Sequence, residues 1–105
     1  MTADEGGDAI VEKLMSISRA EFESGLKRLA GSAAQSNGRD DYLLSDIGVE
    51  RQTIRCAFEP LPEAVLGTLL KLPRARVTLH LTTLSSTDRT DFLTLFDRTF
   101  QRGGG

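Results

Sequence analysis

The sequence predicts an α+β domain. The expected form is a two-layer sandwich: a small, mostly antiparallel three-stranded sheet with helices on one face, in the order α-β-β-α-β-α. Three observations predict it. The segment 74–84, RARVTLHLTTL, alternates Val77, Leu79 and Leu81 with Arg76, Thr78 and His80, the period of a strand with one apolar face. The segment 18–31 carries start and stop signals of a helix around apolar residues at helical spacing. Towards the end of the chain Phe92, Phe96 and Phe100 recur every fourth residue, which places three rings on one face of a second helix.

At 105 residues the chain is long enough for one core and too short for two. The expected organisation is a polar, glycine-bearing tail over 1–7, a single domain over 8–102 and a flexible glycine tail over 103–105. The stretch 8–16, DAIVEKLMS, reads as a short helix with Asp8 as its N-cap, interrupted by the serines that follow. Next, Ser18 is placed to accept from the Glu21 amide while the Glu21 carboxylate reaches back to the Ser18 amide, the capping-box arrangement. Ile17 and Phe22 flank that cap as a hydrophobic staple, Lys27 and Arg28 suit the negative end of the dipole, and Gly31 closes the helix over about 19–30.

Residues 31–41 are small and polar around Asn37 and Gly38, so they read as a connecting loop. A short strand is expected over 42–46, a turn at Ile47 and Gly48, and a longer strand over 50–58 with Ile54, Cys56 and Phe58 on its apolar side. Pro60 and Pro62 end that strand. Residues 62–72 then place Val65, Leu66, Leu69 and Leu70 at helical spacing, stopped by Pro73, and a helix is expected there. The final helix opens at Ser85, with Asp88 three residues on as a partial capping box, and ends among Arg98 and Arg102.

Composition narrows the chemistry. Thirteen basic residues, ten of them Arg, face fifteen acidic ones for a net charge of −2, so the summed field does not demand a nucleic-acid or membrane partner. The single cysteine, Cys56, has no partner for a disulfide, zinc or redox pair, which favours a reducing compartment. The acidic start MTADEGGDAI lacks a basic, apolar leader, and no apolar run approaches the ~20 residues of a membrane span, so a cytoplasmic protein is expected. Cys56 and His80 fall on opposite strand phases and make no dyad. No second ligand stands near His80 for a metal, and no glycine loop stands between a strand and a helix for a phosphate. Neither catalysis nor a cofactor is expected.

The sheet face away from the helices holds the remaining signal. Arg55, Arg76 and His80 point to it, with Arg51 and Arg74 near the strand starts, and these five are the expected partner-binding residues. A locally basic face of this kind suits a protein partner or a second copy of the chain, as does an open sheet edge. Nucleic acid fits less well, because Tyr42 is the only aromatic outside the evident core and single strands need rings to stack on.

The ending RGGG resembles the glycine tails of ubiquitin-like modifiers and sulfur carriers. That resemblance implies a tail without Cβ atoms that threads an activating enzyme and is linked through its terminal carboxylate. Those families reach the tail from a strand, whereas here a helix precedes it and a third glycine is present. The alternative is that Gly103 caps the helix and the last two residues fray. The sequence therefore points first to a small non-catalytic binding or accessory domain, and second to a glycine-tail carrier or a weak nucleic-acid binder.

Overall fold

The computed structural model describes residues 9–67 and 70–104, the last three as backbone. Its elements are β1 (Ile10–Met15), α1 (Arg19–Ala30), a 3-10 turn (Gly31–Ala33), β2 (Ala34–Ser36), β3 (Asp41–Ile47), β4 (Gln52–Leu66), β5 (Leu70–His80) and α2 (Ser86–Gly104). The strands form one five-stranded sheet in the order β1-β5-β4-β3-β2, with every neighbouring pair antiparallel. The α+β class is as expected. The sheet is wider than the three strands foreseen.

The two added strands are β1 and β2, and two segments expected as helices are strand instead. The stretch 8–16 is not a helix: residues 10–15 are the edge strand β1, paired along its length with β5 from Ile10↔His80 to Met15↔Ala75. Val11, Lys13 and Met15 turn toward the helices and Ile10, Glu12 and Leu14 turn away, so the period is two. Asp8, the expected cap, lies outside the described residues. The segment 62–72 is not a helix either. Strand β4 continues to Leu66, Gly67 turns the chain at a φ of 70°, and β5 starts at Leu70, so that Ala64 faces Leu72 and Leu66 faces Leu70. One extra residue in β4 between Leu61 and Ala64 breaks the register there. A bulge of this kind accommodates Pro62, which has no N–H to give to a ladder. The second added strand is β2, three residues within the stretch read as a loop.

The helices form as their local signals dictate. Ser18 Oγ accepts from the Glu21 amide at 3.2 Å, and Glu21 Oε1 accepts from the Ser18 amide at 2.9 Å. Gly31 ends α1 at a φ of 58° with its N–H bonded to the Lys27 carbonyl. At the start of α2, Ser85 Oγ accepts from the Asp88 amide at 3.2 Å, but the Asp88 carboxylate does not return the bond as a capping box requires. It accepts instead from the Val49 amide in the β3–β4 turn, at 3.0 Å. The helix runs through Gly104, and Gly105, like residues 1–7, lies outside the described residues.

Both helices pack on the face formed by Tyr42, Leu44, Ile54, Cys56, Phe58, Ala75, Val77 and Leu79, closing one core with Phe22, Leu26, Phe92 and Phe96. Burying each large side chain contributes roughly 1.5–3 kcal/mol. Phe22 is the hub, with ring centroids 5.4 Å from Tyr42, 5.0 Å from Phe58 and 5.6 Å from Phe100. Tyr42 is thus a core residue, contrary to expectation. Its hydroxyl reaches the core's margin, donating to Glu23 Oε2 at 2.7 Å and accepting from Arg19 Nη1 at 3.4 Å. Arg19 in turn sits 5.0 Å above the Phe58 ring and binds Asp40 at 2.6 Å, which stitches the start of α1 to the sheet.

Candidate functional site: the helix-free face of the sheet

Strand alternation sends Arg55 on β4 and Arg76 and His80 on β5 to the face opposite the helices. Arg55 and His80 are register partners, and their side chains touch, with Nη2 2.8 Å from the imidazole Nε2. A guanidinium only donates, so in this contact His80 Nε2 is the acceptor, the role it has in the tautomer with the proton on Nδ1. Arg55 Nε also lies 3.3 Å from Asp41 Oδ1, which makes a chain Asp41–Arg55–His80 across β3, β4 and β5. Two residues along, Arg76 Nη1 donates to its register partner Glu59 at 2.8 Å, and Arg76 Nε is 4.0 Å from Glu12 on β1. Arg74 stands opposite Leu61, where β4 and β5 leave the body of the sheet. Arg51 does not join them: it occupies the β3–β4 turn with a φ of 54°.

This arrangement changes the electrostatics expected of the face. Both central arginines are matched by carboxylates on neighbouring strands, so the surface is a mosaic of cross-strand ion pairs and not a field of free positive charge. These pairs are exposed except at Asp41, which is partly covered, and each contributes about 1 kcal/mol or less to stability. Their main effect is to hold the guanidinium planes in fixed positions.

An apolar component was not foreseen. Beyond the last pairing with β1, strands β4 and β5 continue as a two-stranded arm, and Val65, Leu66 and Leu70 on it are each at least half exposed. Because β5 keeps an unbroken alternation, Leu70 and Leu72 fall on the same side as Arg74, Arg76 and His80. Leu14, 64% exposed, is the β1 register partner of Arg76 on this face. The face therefore mixes ion pairs with exposed apolar side chains, Ile10 beside His80 and Leu14 beside Arg76, and is mainly apolar on the arm. With Tyr42 in the core, the face has no aromatic ring among the described residues. Finding the apolar end from sequence needed β1 and the arm to be recognised as strands.

Cys56 lies on the other side of the sheet, fully buried, and burial, with a smaller contribution from Asp41, pushes its thiol pKa up to about 12. It is separated from His80 by the sheet itself, and at neutral pH it holds its proton. Burial likewise raises the Tyr42 phenol, followed by its bond to Glu23. The bond to Asp40 raises the Arg19 guanidinium. Among the described residues no group of three or more His, Cys, Asp or Glu is placed to hold a metal ion, and no helix is long and apolar enough to cross a membrane. Compared with protein families, curated proteins and solved structures, the chain matches none.

Proposed function

We propose that this domain is a non-catalytic interaction module that binds a protein partner through the helix-free face of its sheet. One observation carries the reading: exposed leucines on the β4–β5 arm and on β1 share a face with arginines held in place by cross-strand carboxylates. Protein interfaces combine these elements, an apolar anchor that is desolvated on binding and a polar surround rich in Arg. Sheet edges support the reading less well than the face. The edge strand β1 carries Glu12 and Lys13 in its middle and β2 is three residues long, both features that discourage strand addition. A lone cysteine favours a reducing compartment, and the proposal places the protein in the cytoplasm.

The test is a capture experiment from native extract with an N-terminal tag, comparing the full chain with Leu14→Glu/Leu66→Glu and with Arg55→Glu/Arg76→Glu. A stoichiometric partner retained by the wild type and lost with both variants, each with an unchanged circular dichroism spectrum, supports the proposal. Retention of the same partner by both variants places binding elsewhere and overturns it. A wild-type mass of two chains by light scattering, reduced to one by Leu14→Glu/Leu66→Glu, would make the partner a second copy.

A further inference from the structure

A second surface stands apart from the sheet face. The end of α1, the β3–β4 turn and the first half of α2 enclose a cleft of about 650 Å³, within the range of ligand-sized pockets. Its apolar lining includes Leu29, Ile47 and Phe92, and its borders leave two aliphatic side chains in water, Val49 at 88% exposure and Leu95 at 42%. The charged lining has one sign: Asp46, Asp88 and Asp91 contribute carboxylates, and none of the described lining residues is cationic. The turn that forms one wall is held in shape, since Asp88 bonds the Val49 amide and its carboxylate packs against the α-carbon of Gly48.

We infer that this cleft docks a basic amphipathic segment of a partner polypeptide, one that presents Lys or Arg beside apolar side chains. Charge complementarity chooses the occupant. Carboxylates on two walls repel phosphate and acidic chains, which removes nucleic acid and phosphopeptides. The acids are not grouped as metal ligands. They are matched instead by cations spread along a chain. The exposed aliphatic borders call for apolar side chains on that same chain, the pattern of a helix laid in a groove.

The experiment titrates the full-length protein with a fluorescein-labelled synthetic helical peptide that has Leu on one face and Lys on the other. Two control peptides replace every Leu by Ser or every Lys by Glu. Saturable binding of the Leu/Lys peptide alone is expected, with amide shift changes centred on Val49 and Leu95. Asp46→Asn/Asp91→Asn should weaken it at least about fivefold, since two exposed charge contacts are lost. Asn tolerates the positive φ of 58° at position 46. Glu12→Gln/Glu59→Gln removes two carboxylates from the sheet face and should leave the affinity for this peptide unchanged. Equal weakening by both double variants, or equal binding of the Leu-to-Ser peptide, means diffuse attraction to an acidic protein and overturns the inference. If the Asp46→Asn/Asp91→Asn protein is not folded, the wild-type shift map decides: changes confined to the cleft support the site, and changes elsewhere overturn it.

Discussion

The Phe100 ring occupies the space that a side chain at Gly25 would need: a β-carbon built there overlaps the ring edge. The two helices touch here because α1 offers bare backbone to the aromatic ladder of α2. Phe100 is itself confined, 4.6 Å from Phe96 and 5.6 Å from Phe22. Gly25→Ala should therefore destabilise the fold. Overpacking costs typically ~1–3 kcal/mol, against ~1 kcal/mol gained in helix propensity. In a Phe100→Ala background the same substitution should become neutral or stabilising. A thermodynamic cycle from urea melts reads that change of sign, and its absence would show that the ring is not what limits position 25.

Asp88 joins two elements far apart in the sequence, and only 6% of it is exposed. Asp88→Ala leaves the Val49 amide without its acceptor and should cost about 1–3 kcal/mol, with Asp88→Asn losing less because one oxygen remains. Hydrogen exchange at the Val49 amide is the specific readout. Its protection should fall with Asp88→Ala before any global change is seen.

The thiol of Cys56 should resist alkylating reagents between pH 7 and 9 in the native protein and react at once in denaturant. Its folded pKa of about 12 lies above the unfolded value, so the unfolded chain releases the proton first. The sign follows: this stability contribution is fully present below the unfolded pKa of ~8.5 and declines as pH rises toward about 12, by at most ~1.4 kcal/mol per pH unit in that window. Cys56→Ala should flatten the alkaline limb of a stability–pH curve. An unchanged limb would show that other groups govern it.

The Arg55–His80 contact fixes a tautomer. For the neutral imidazole, nitrogen-15 correlation should show the proton on Nδ1 and Nε2 bare. Protonating His80 sets two cations against each other and breaks the bond. Arg55→Gln should shift the imidazole resonances without moving the melting temperature by more than a degree or two, because the cluster is exposed.

Tyr42→Phe removes a hydroxyl that donates to Glu23 and accepts from Arg19. A loss of about 1 kcal/mol is expected. The phenylalanine ring keeps the contact with Phe22, so the protein should still melt in a single transition.

Helix α1 was legible almost residue for residue, because its cap, staple and terminating glycine are all local signals. The strands that were missed are decided by distant partners. IVEKLM is too short for its period to declare itself, and it becomes a strand because β5 offers it a hydrogen-bonding edge some 65 residues later in the chain. The apolar residues of 62–72 fit a helix as well as a hairpin arm, and cross-strand pairing outweighs that spacing. The candidate face divides in the same way. That Arg55, Arg76 and His80 lie together follows from alternation, whereas their pairing with Asp41, Glu59 and Glu12 depends on register between strands, which no single segment encodes. Tyr42 shares the buried face of β3 with Leu44, and its ring belongs to the core although its hydroxyl reaches Glu23 at the margin, a polar contact that the apolar pattern alone does not announce.

The placement of β1 at the outer side of β5 also bears on how the chain is made. Strands β3, β4 and β5 pair with sequence neighbours as they emerge, but β1 leaves the ribosome before any of them and reaches its partner only after His80 is synthesised. Loop closure over that span is slow compared with hairpin formation. Until β1 docks, β5 is itself an edge, with Val77 and Leu79 in an open ladder. Removing residues 1–15 leaves that edge open for good, and a chain so shortened should precipitate where the full one stays in solution.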